Sequence, residues 1–192
     1  TAAGLGAGRT ITITGHGADQ VEAAVKAPNL QFVRQMPQLG TGHAVQQAVP
    51  YLPDGGTTLI LNGDVPLIEP ATAAALVAAC GGTRLALLTI ELAEATGYGR
   101  IVRNGKQEVR AIVEHKDASE AERAIREVYT GMLAAPTAWL KRAVMALKNE
   151  NKQKEFYLTD IVAMAVAEGV PVVSSSVTDE TEVLGVNSPT QL

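Results

Sequence analysis

The stretch TTLILNGDVPLIEPATAAALVAACGGTRLALLTIE, residues 57–91, decides the fold class because it predicts a strand, a helix and a second strand in succession. Residues 57–61 and 84–91 are short apolar runs of the kind that form buried strands. Residues 71–79 favour a helix, opened by Pro70 at a position where proline is well tolerated. This alternation predicts an α/β domain with a mostly parallel sheet.

The same alternation extends toward the start of the chain. Strands are predicted over residues 9–14 and 30–34, and helices over residues 19–26 and 42–49. Right-handed crossovers between parallel strands place helices on both faces of such a sheet. We therefore expect a layered domain in which the sheet is covered on both sides.

After residue 91 the rhythm changes. Residues 99–103 and 109–114 predict two strands joined by the turn Asn104-Gly105, which is a strong hairpin signal. The remaining segments favour a helix, a strand, two helices, a strand and a possible last strand, over residues 118–126, 128–134, 139–148, 158–168, 170–175 and 182–186. We expect a small β-hairpin lobe at the sheet edge, within one domain over residues 1–192.

Composition limits the partners that the chain can have. Apolar residues make up 46% of the sequence, which is enough for a packed core. The net charge of −4 and the lack of a basic cluster argue against nucleic acid as a partner. The single cysteine, Cys80, rules out an intrachain disulfide and a cysteine-based zinc cluster. The sequence has no apolar run of about 18 residues and no signal segment, so we expect no membrane partner and a cytoplasmic location.

The end of the first strand in residues 57–91 carries the most informative polar group. The apolar run delivers Asp64 to the carboxyl end of the sheet, where open α/β folds bind their ligands, and Gly63 leaves room for a close ligand. A hard cation such as Mg²⁺ is bound there by one or two carboxylates together with substrate phosphates. The alternative is that Asp64 only closes a turn, because Asn-Gly-Asp is good turn chemistry.

A second candidate is the sequence QLGTGHA, residues 38–44, in which Gly40 and Gly42 flank Thr41 at a predicted helix start. Backbone N–H groups at a helix N-terminus accept anions or carbonyl oxygens. The alternative is a tight strand-to-helix turn with Thr41 as its N-cap and His43 as a packed residue.

Three weaker candidates each have an equally good structural interpretation. The sequence Gly97-Tyr98-Gly99-Arg100 forms a substrate loop or the turn into a strand. Glu114 projects at a strand end or is a solvated charge. Asn187 is a ligand or a turn former.

The motifs QLGTGHAVQQA, LNGDVPLI, TGYGRIVR, IVEHKDA, EFYLTD and GVNSPTQL follow the order and approximate spacing of one family. On these motifs essentially the whole chain resembles the uridyltransferase domain of the bacterial bifunctional N-acetylglucosamine-1-phosphate uridyltransferase / glucosamine-1-phosphate acetyltransferase. The resemblance implies a Rossmann-like fold of the nucleotide-diphospho-sugar transferase type. It also implies Mg²⁺-dependent transfer of uridylyl from UTP to N-acetylglucosamine 1-phosphate, giving UDP-N-acetylglucosamine and pyrophosphate for cell-wall and lipopolysaccharide precursors.

The resemblance assigns roles to individual residues at two places. It makes Asp64 and Asn187 the two protein ligands of the catalytic Mg²⁺. It implies that Gln35, Gly40 and Thr41 contact the uracil base.

The resemblance also implies the contacts to the sugar. Asn62 and Gly63 fall in the segment that lines the nucleotide and the sugar, although the family often has Tyr where this chain has Asn62. Gly99 and Glu114 are implied to recognise the N-acetylglucosamine moiety. Tyr129 stands where the family usually has Asn. Tyr129 is therefore counted among the substrate-binding residues, although Tyr is much larger than the amide that hydrogen-bonds the sugar in the family.

Two further expectations concern the ends of the chain. The family's Gly-rich loop, with an Arg and a Lys that hold the triphosphate, is expected before Thr1, so no catalytic residue is assigned within residues 1–192. The acetyltransferase half, a left-handed β-helix through which the full-length enzyme is expected to form a homotrimer, would follow Leu192. Residues 1–192 alone are expected to bind a sugar nucleotide with little or no turnover.

Two alternative functions stay open at this point. One is a nucleotidyltransferase for another sugar 1-phosphate, such as that of glucose or mannose. The other is a module that binds sugar nucleotides without catalysis.

Overall fold

The computed structural model describes residues 2–186. Its strands are β1 (Thr10–Thr14), β2 (Leu30–Arg34), β3 (Thr57–Ile60), β4 (Leu85–Glu91), β5 (Arg100–Arg103), β6 (Val109–Val113), β7 (Glu127–Pro136) and β8 (Val172–Val177). Its α-helices are α1 (Ala18–Ala24), α2 (Thr41–Ala48), α3 (Pro70–Cys80), α4 (Glu120–Arg123), α5 (Thr137–Met145) and α6 (Asp160–Glu168). Short 3₁₀ helices span Ala2–Leu5, Val49–Tyr51 and Glu180–Val183.

The described strands form two sheets. β1 and β2 pair in parallel, in register from Thr10 opposite Leu30 to Thr14 opposite Arg34. The larger sheet has the order β6-β5-β7-β4-β8, and β3 also pairs with β7. β4 and β8 are parallel, whereas β7 runs antiparallel to β3, β4 and β5. The predicted α/β class is confirmed, and the larger sheet is mixed because β7 is inserted against the direction of its neighbours.

β7 is the centre of the core because its side chains alternate between two apolar clusters, as the period of a strand requires. On one face Leu133 belongs to a cluster with Leu140 of α5 and Ile161 of α6. On the other face Met132 belongs to a cluster with Leu76 of α3. Helices therefore cover both faces of the larger sheet, as the sequence predicted.

The predicted hairpin is confirmed, since β5 and β6 pair antiparallel around a loop at residues 104–108. Asn104 closes this loop by accepting hydrogen bonds at its side-chain oxygen from the backbone N–H groups of Lys106 (2.9 Å) and Glu108 (3.0 Å). The left-handed position is occupied by Gln107, with φ of 64°, and not by Gly105. The Asn-Gly pair thus marks the hairpin but does not itself form a two-residue turn.

Two sequence predictions were wrong in detail. The helix expected over residues 118–126 is shortened to α4, although Ser119 and Glu122 form a capping box at its start. The possible strand over residues 182–186 does not form, because Asp179 caps a 3₁₀ helix at Glu180–Val183 by accepting a hydrogen bond from the N–H of Thr181 at 2.9 Å. A search of residues 2–186 finds no helix with the length and apolar character needed to cross a membrane.

Candidate functional site

Asp64 lies at the mouth of a cavity beyond the carboxyl end of β3. The chain turns at residues 62–65, where the N–H of Val65 donates to the carbonyl of Asn62 at 3.5 Å. Val65 is buried, whereas Asp64 is exposed and does not point into the core. The cavity, which we call the Asp64 cavity, measures about 390 Å³ and is lined by Asn62, Asp64, Val65, Thr96, Gly97, Tyr98, Thr130, Val183 and Gly185.

The end of the described chain returns to Asp64. The N–H of Val186 donates to the backbone carbonyl of Asp64 at 2.7 Å, and Gly185 lines the same cavity. Asn187, the second predicted metal ligand, lies outside the described residues. The convergence of Asp64 and Asn187 therefore stays a prediction, although the preceding residue is already in contact with Asp64.

The side chain of Asn62 lies against β7, where Gly131 leaves room for it. Its side-chain amide donates to the carbonyl of Thr130 at 3.2 Å. Gly131 has φ of 89°, and a Cβ added there would come within 2.0 Å of the Asn62 amide nitrogen. Gly131 therefore gives the amide the space it occupies at the cavity wall. Among the described residues, no atom lies within 4 Å of the place where a Cβ on Gly63 would lie, so these residues leave its backbone open as expected.

The predicted glycine-rich turn is clamped onto residues 155–158. The N–H of Gly42 donates to the carbonyl of Phe156 at 2.7 Å, and the N–H of Phe156 donates to the carbonyl of Leu39 at 2.8 Å. Gly40 has φ of 103°, and a Cβ there would lie 2.7 Å from the same Phe156 oxygen. The turn has no room for a side chain at Gly40, which gives this glycine a structural role of its own.

Thr41 does not cap α2, so that interpretation was wrong. The N-cap is Gly40, and the Thr41 hydroxyl accepts a hydrogen bond from the N–H of Leu158 at 3.1 Å. Gln35 is buried, and its amide donates to the carbonyl of Gly40 at 2.9 Å. The structure therefore brings Gln35, Gly40 and Thr41 together at one turn.

His43 is a packed residue. Its Nδ1 lies 3.1 Å from the side-chain nitrogen of Gln35, and its Nε2 lies 3.1 Å from that of Gln47. Its ring stacks on Phe156 with the centroids 6.2 Å apart. These contacts fix the turn from the helix side.

Gly99, Glu114 and Tyr129 form a third group. A Cβ on Gly99 would lie 2.7 Å from Ile112 and 3.7 Å from a carboxylate oxygen of Glu114. The N–H of Tyr129 donates to the carbonyl of Gly99 at 2.9 Å. The structure thus places the three predicted sugar-binding residues side by side.

Glu114 is a half-buried carboxylate whose protonation is perturbed. Burial raises the pKa of Glu114, and the hydrogen bond that it accepts from the Thr159 hydroxyl at 2.9 Å opposes this shift. The negative charges of Asp160, Asp117 and Glu155 raise it further. A carboxyl pKa that burial raises is common at functional sites.

Tyr129 is a buried residue of β7. Its side chain belongs to the apolar cluster around Leu133, and its hydroxyl has no hydrogen-bond partner within residues 2–186. Burial raises the pKa of this hydroxyl, and the charge of Glu114 adds to the shift. A buried hydroxyl without a partner is costly, so this group requires an explanation.

Some contributing residues were not predicted individually. Thr159 holds Glu114, and the turn at Gly40 rests on Phe156 and Leu158 of the same segment. This EFYLTD segment had been noted as a motif but given no role. Other unassigned residues line the Asp64 cavity: Thr96, Tyr98, Thr130, Val183 and Gly185. The sequence signals for Thr96 and Tyr98 are the TGYGRIVR motif and the Gly97–Arg100 candidate loop, neither of which assigns a role to these two residues.

Comparison with known proteins identifies the family of this chain. The family model described as the MobA-like NTP transferase domain matches residues 1–157. The chain is 69% identical to the bifunctional protein GlmU of Methylibium petroleiphilum over 199 aligned positions, which cover 100% of this chain and 43% of that protein. It is 60% identical to the bifunctional protein GlmU of Polaromonas naphthalenivorans, again over 100% of this chain and 42% of that protein. The chain thus spans less than half the length of these relatives.

A structural comparison finds the same type of fold. A crystal structure of UDP-glucose pyrophosphorylase complexed with UDP-glucose matches with a TM-score of 0.72. The match covers 92% of this chain and 75% of that chain at 15% sequence identity. At this identity the likeness concerns the fold alone.

Proposed function

This chain belongs to the MobA-like NTP transferase domain family, and from that premise we propose that it transfers a uridylyl group from UTP to N-acetylglucosamine 1-phosphate. The products are UDP-N-acetylglucosamine and pyrophosphate. The high identity to two GlmU proteins over the whole chain supports this substrate pair. The observation that carries the proposal is the exposed carboxylate of Asp64, which lies at a strand end on a cavity of about 390 Å³.

The chemistry of this cavity fits a magnesium ion. Its lining offers a carboxylate, an amide and hydroxyl groups, all of which present the oxygen atoms that a hard cation prefers. Residues 2–186 contain no cluster of three or more His, Cys, Asp or Glu side chains able to hold a metal by themselves. Mg²⁺ suits such a site, because it keeps several waters and binds to one or two carboxylates plus substrate phosphates. Asp64 and Asn187 would be the protein ligands.

When bound, Mg²⁺ would supply positive charge to the phosphates as pyrophosphate leaves. The attacking group is a phosphate oxygen of the sugar phosphate, which is already anionic at neutral pH. The protein therefore needs no serine, cysteine or histidine nucleophile. Its task is to align two anions, and positioning of this kind contributes about 7–11 kcal/mol in favourable cases. In this chain the fixed amide of Asn62 and the open backbone of Gly63 line the place where the reactants would be held.

The two other groups would bind the ends of the nucleotide sugar. The turn at Gly40, which Gln35 holds by its hydrogen bond to the Gly40 carbonyl, would contact the uracil base. Gly99 and Glu114 would contact the N-acetylglucosamine moiety. The Tyr129 hydroxyl would take the place of the usual asparagine, and a bound sugar would give it the hydrogen-bond partner that the described residues do not.

A panel of sugar 1-phosphates tests this proposal. Pyrophosphate release from UTP and Mg²⁺ would be measured with the 1-phosphates of N-acetylglucosamine, glucose and mannose. We expect turnover with the N-acetyl sugar to exceed that with the others. We expect Glu114→Ala to reduce turnover most for that sugar, with Glu120→Ala, an exposed glutamate of α4, as the control. Equal turnover with all three sugars would point to a different acceptor.

These turnover assays use the full-length protein, because residues 1–192 alone are expected to bind a sugar nucleotide with little or no turnover. Binding without turnover by the full-length protein would support the second alternative, a non-catalytic sugar-nucleotide module. The homotrimer of the full-length enzyme and the cytoplasmic location follow from the same proposed kinship. Both are checked separately, by the molar mass in solution and by fractionation of cells.

A further inference from the structure

Arg100, at the start of β5, is a buried cation without a buried anion to balance it. Its side chain is only 2% exposed. The guanidinium donates to the carbonyl of Tyr98 and, at 3.4 Å in each case, reaches Nδ1 of His115 and the carbonyl of Arg123. Its Nε is buried without a hydrogen-bond partner, and Arg100 forms no ion pair within residues 2–186. Burying a charge in this way is unfavourable unless an anion reaches it.

Arg100 also lines a second cavity. We call it the Arg100 cavity; it measures about 490 Å³ and is lined by Ala93, Glu94, Ala95, Thr96, Arg100, His115, Arg123, Ala124, Ile125 and Arg126. Arg123 and Arg126 are both exposed. Arg123 donates its Nε to the carbonyl of His115 at 3.3 Å, and Arg126 donates its Nε to that of Leu92 at 3.1 Å.

These two contacts leave the outer nitrogens of both guanidinium groups uncommitted. Among residues 2–186, neither Arg123 nor Arg126 has any other hydrogen bond from its side chain or any ion pair. Each arginine is therefore oriented by a backbone carbonyl while its outer nitrogens remain available to a ligand. Arginine in this state is suited to bidentate contact with a phosphate oxygen pair.

The charge of the lining is strongly positive. Three arginines face a single carboxylate, that of Glu94. Glu94 accepts hydrogen bonds from the backbone N–H of Thr96, at 3.1 Å, and from the Thr96 hydroxyl. These bonds lower the pKa of Glu94, and the nearby charges of Arg100 and His115 lower it further. Glu94 therefore neutralises one of the three cations and leaves two.

We propose that the Arg100 cavity binds a small phosphate-class anion, such as inorganic pyrophosphate, between Arg100 at its base and Arg123 and Arg126 at its rim. The anion would supply the missing counter-charge to the buried guanidinium and would use the outer nitrogens of the two exposed arginines. This site needs no metal ion because its lining already carries the positive charge. It is separate from the Asp64 cavity, with which it shares only Thr96 among their lining residues.

Isothermal titration calorimetry with inorganic pyrophosphate tests this proposal. The chain of residues 1–192 would be titrated in a buffer containing a metal chelator, so that no metal-dependent binding at Asp64 contributes. We expect one saturable site. Arg123→Ala and Arg126→Ala should each weaken the affinity about tenfold, because each removes a charge-assisted hydrogen bond. The matched control is Arg110→Ala, which removes an exposed arginine of β6 and changes the net charge equally without touching the cavity.

Arg100→Met is the more severe variant, because it removes the charge and keeps much of the side-chain volume. We expect it to abolish measurable pyrophosphate binding while the circular dichroism spectrum stays that of the wild type. If Arg100→Met does not fold, the Arg123→Ala and Arg126→Ala variants still decide. Absence of saturable binding to the wild type would overturn the proposal. Equal affinity of both alanine variants and the Arg110→Ala control would do the same.

Discussion

The Asp64 cavity and the Arg100 cavity meet at Thr96 but differ in the charge that they offer. The described lining of the Asp64 cavity contains a carboxylate, an amide and hydroxyl groups and no basic side chain. The lining of the Arg100 cavity contains three arginines. The described residues of the first offer oxygen atoms of the kind that suit a cation, whereas those of the second offer positive charge of the kind that suits an anion. If both proposals hold, the two cavities select the same chemical group by opposite means.

The largest effect is expected from Gly131→Ala, which damages one cavity and spares the other. A Cβ at this position would lie 2.0 Å from the Asn62 amide nitrogen, and the backbone has φ of 89°. We expect the free energy of unfolding to fall by about 2–4 kcal/mol and sugar-nucleotide binding to be lost. Urea denaturation and calorimetry measure the two effects.

Gly55→Ala is the control for an added methyl group without strain, because none of the described atoms lies within 4 Å of the added Cβ and Gly55 has no positive φ. It should change the stability by about 0.5 kcal/mol or less. Pyrophosphate binding in the Arg100 cavity should survive in both variants. A Gly131→Ala protein as stable as Gly55→Ala would show that Asn62 can move away without cost.

Tyr129→Phe tests whether a ligand supplies a missing hydrogen-bond partner. Among the described residues, the Tyr129 hydroxyl and the Nε of Arg100 are both buried without such a partner. Removing the hydroxyl should raise the free energy of unfolding by about 1 kcal/mol, since the atom is desolvated without a hydrogen bond. It should also weaken UDP-N-acetylglucosamine binding about tenfold if the sugar is the missing partner. Thermal denaturation and calorimetry give the two values. A gain in stability with unchanged affinity would assign Tyr129 to the core alone.

Glu114→Gln tests the electrostatic side of the comparison, since the pKa of Glu114 is raised by burial while that of Glu94 in the Arg100 cavity is lowered. A carboxyl whose folded pKa is raised destabilises the folded state above that pKa. This penalty disappears below the ordinary value of 4.5. We therefore expect Glu114→Gln to be more stable than the wild type at pH 7. The difference should shrink as the pH falls toward that value.

Glu127→Gln is the control, because the pKa of Glu127 is lowered whereas that of Glu114 is raised. A bidentate ion pair with Arg103, with contacts of 2.7 Å, lowers the pKa of Glu127. This stabilisation is present above the ordinary pKa of 4.5 and is lost as the pH falls through the lowered value. Glu127→Gln should thus be less stable than the wild type at pH 7. The same sign of change in both variants would contradict the assigned environments.

Thr96→Val should have the smallest effect on ligand affinity. Among the variants considered, it alone changes a residue that lines both cavities. Without the hydroxyl, Glu94 loses one of its two hydrogen bonds from Thr96 and can turn toward Arg100. We expect the affinities for pyrophosphate and for the sugar nucleotide each to fall about two- to fivefold. Thr83→Val, at an exposed threonine outside both linings, is the control. An effect on one ligand alone would show that Thr96 does not link the cavities.

The sequence predicted the local elements well where one pattern determined them. β2 lies at its predicted bounds, because Phe32 and Val33 favour a strand and Pro28-Asn29 ends the preceding segment. The reversed direction of β7 could not be predicted, because strand direction depends on partners far away in the chain. The strand predicted over residues 182–186 was wrong for a similar reason, because its pairing also depends on a distant partner. The N–H of Val186 donates to the carbonyl of Asp64 and not to a strand.

The candidate site was predictable only in part. The places of Asp64 beyond a strand end and of Gly40 in a tight turn were predictable because strand ends and glycine turns leave local signals. The support of the Gly40 turn was not, because the bond between Thr41 and Leu158 spans 117 positions. Arg100 was also missed as a buried group, since a charged residue at the start of a strand is ordinarily exposed.

The central claim is that Asp64 binds a divalent cation that links the protein to the phosphates of a sugar nucleotide. The most direct measurement is the affinity for UDP-N-acetylglucosamine as a function of Mg²⁺ concentration. It would be made for the wild type, for Asp64→Asn and for Glu91→Gln, a control that neutralises an exposed carboxylate at the end of β4. We predict that Mg²⁺ strengthens binding to the wild type and to the control. Asp64→Asn should lose about 10–100-fold in affinity at saturating Mg²⁺. A Mg²⁺ dependence of Asp64→Asn equal to that of the control would contradict the claim.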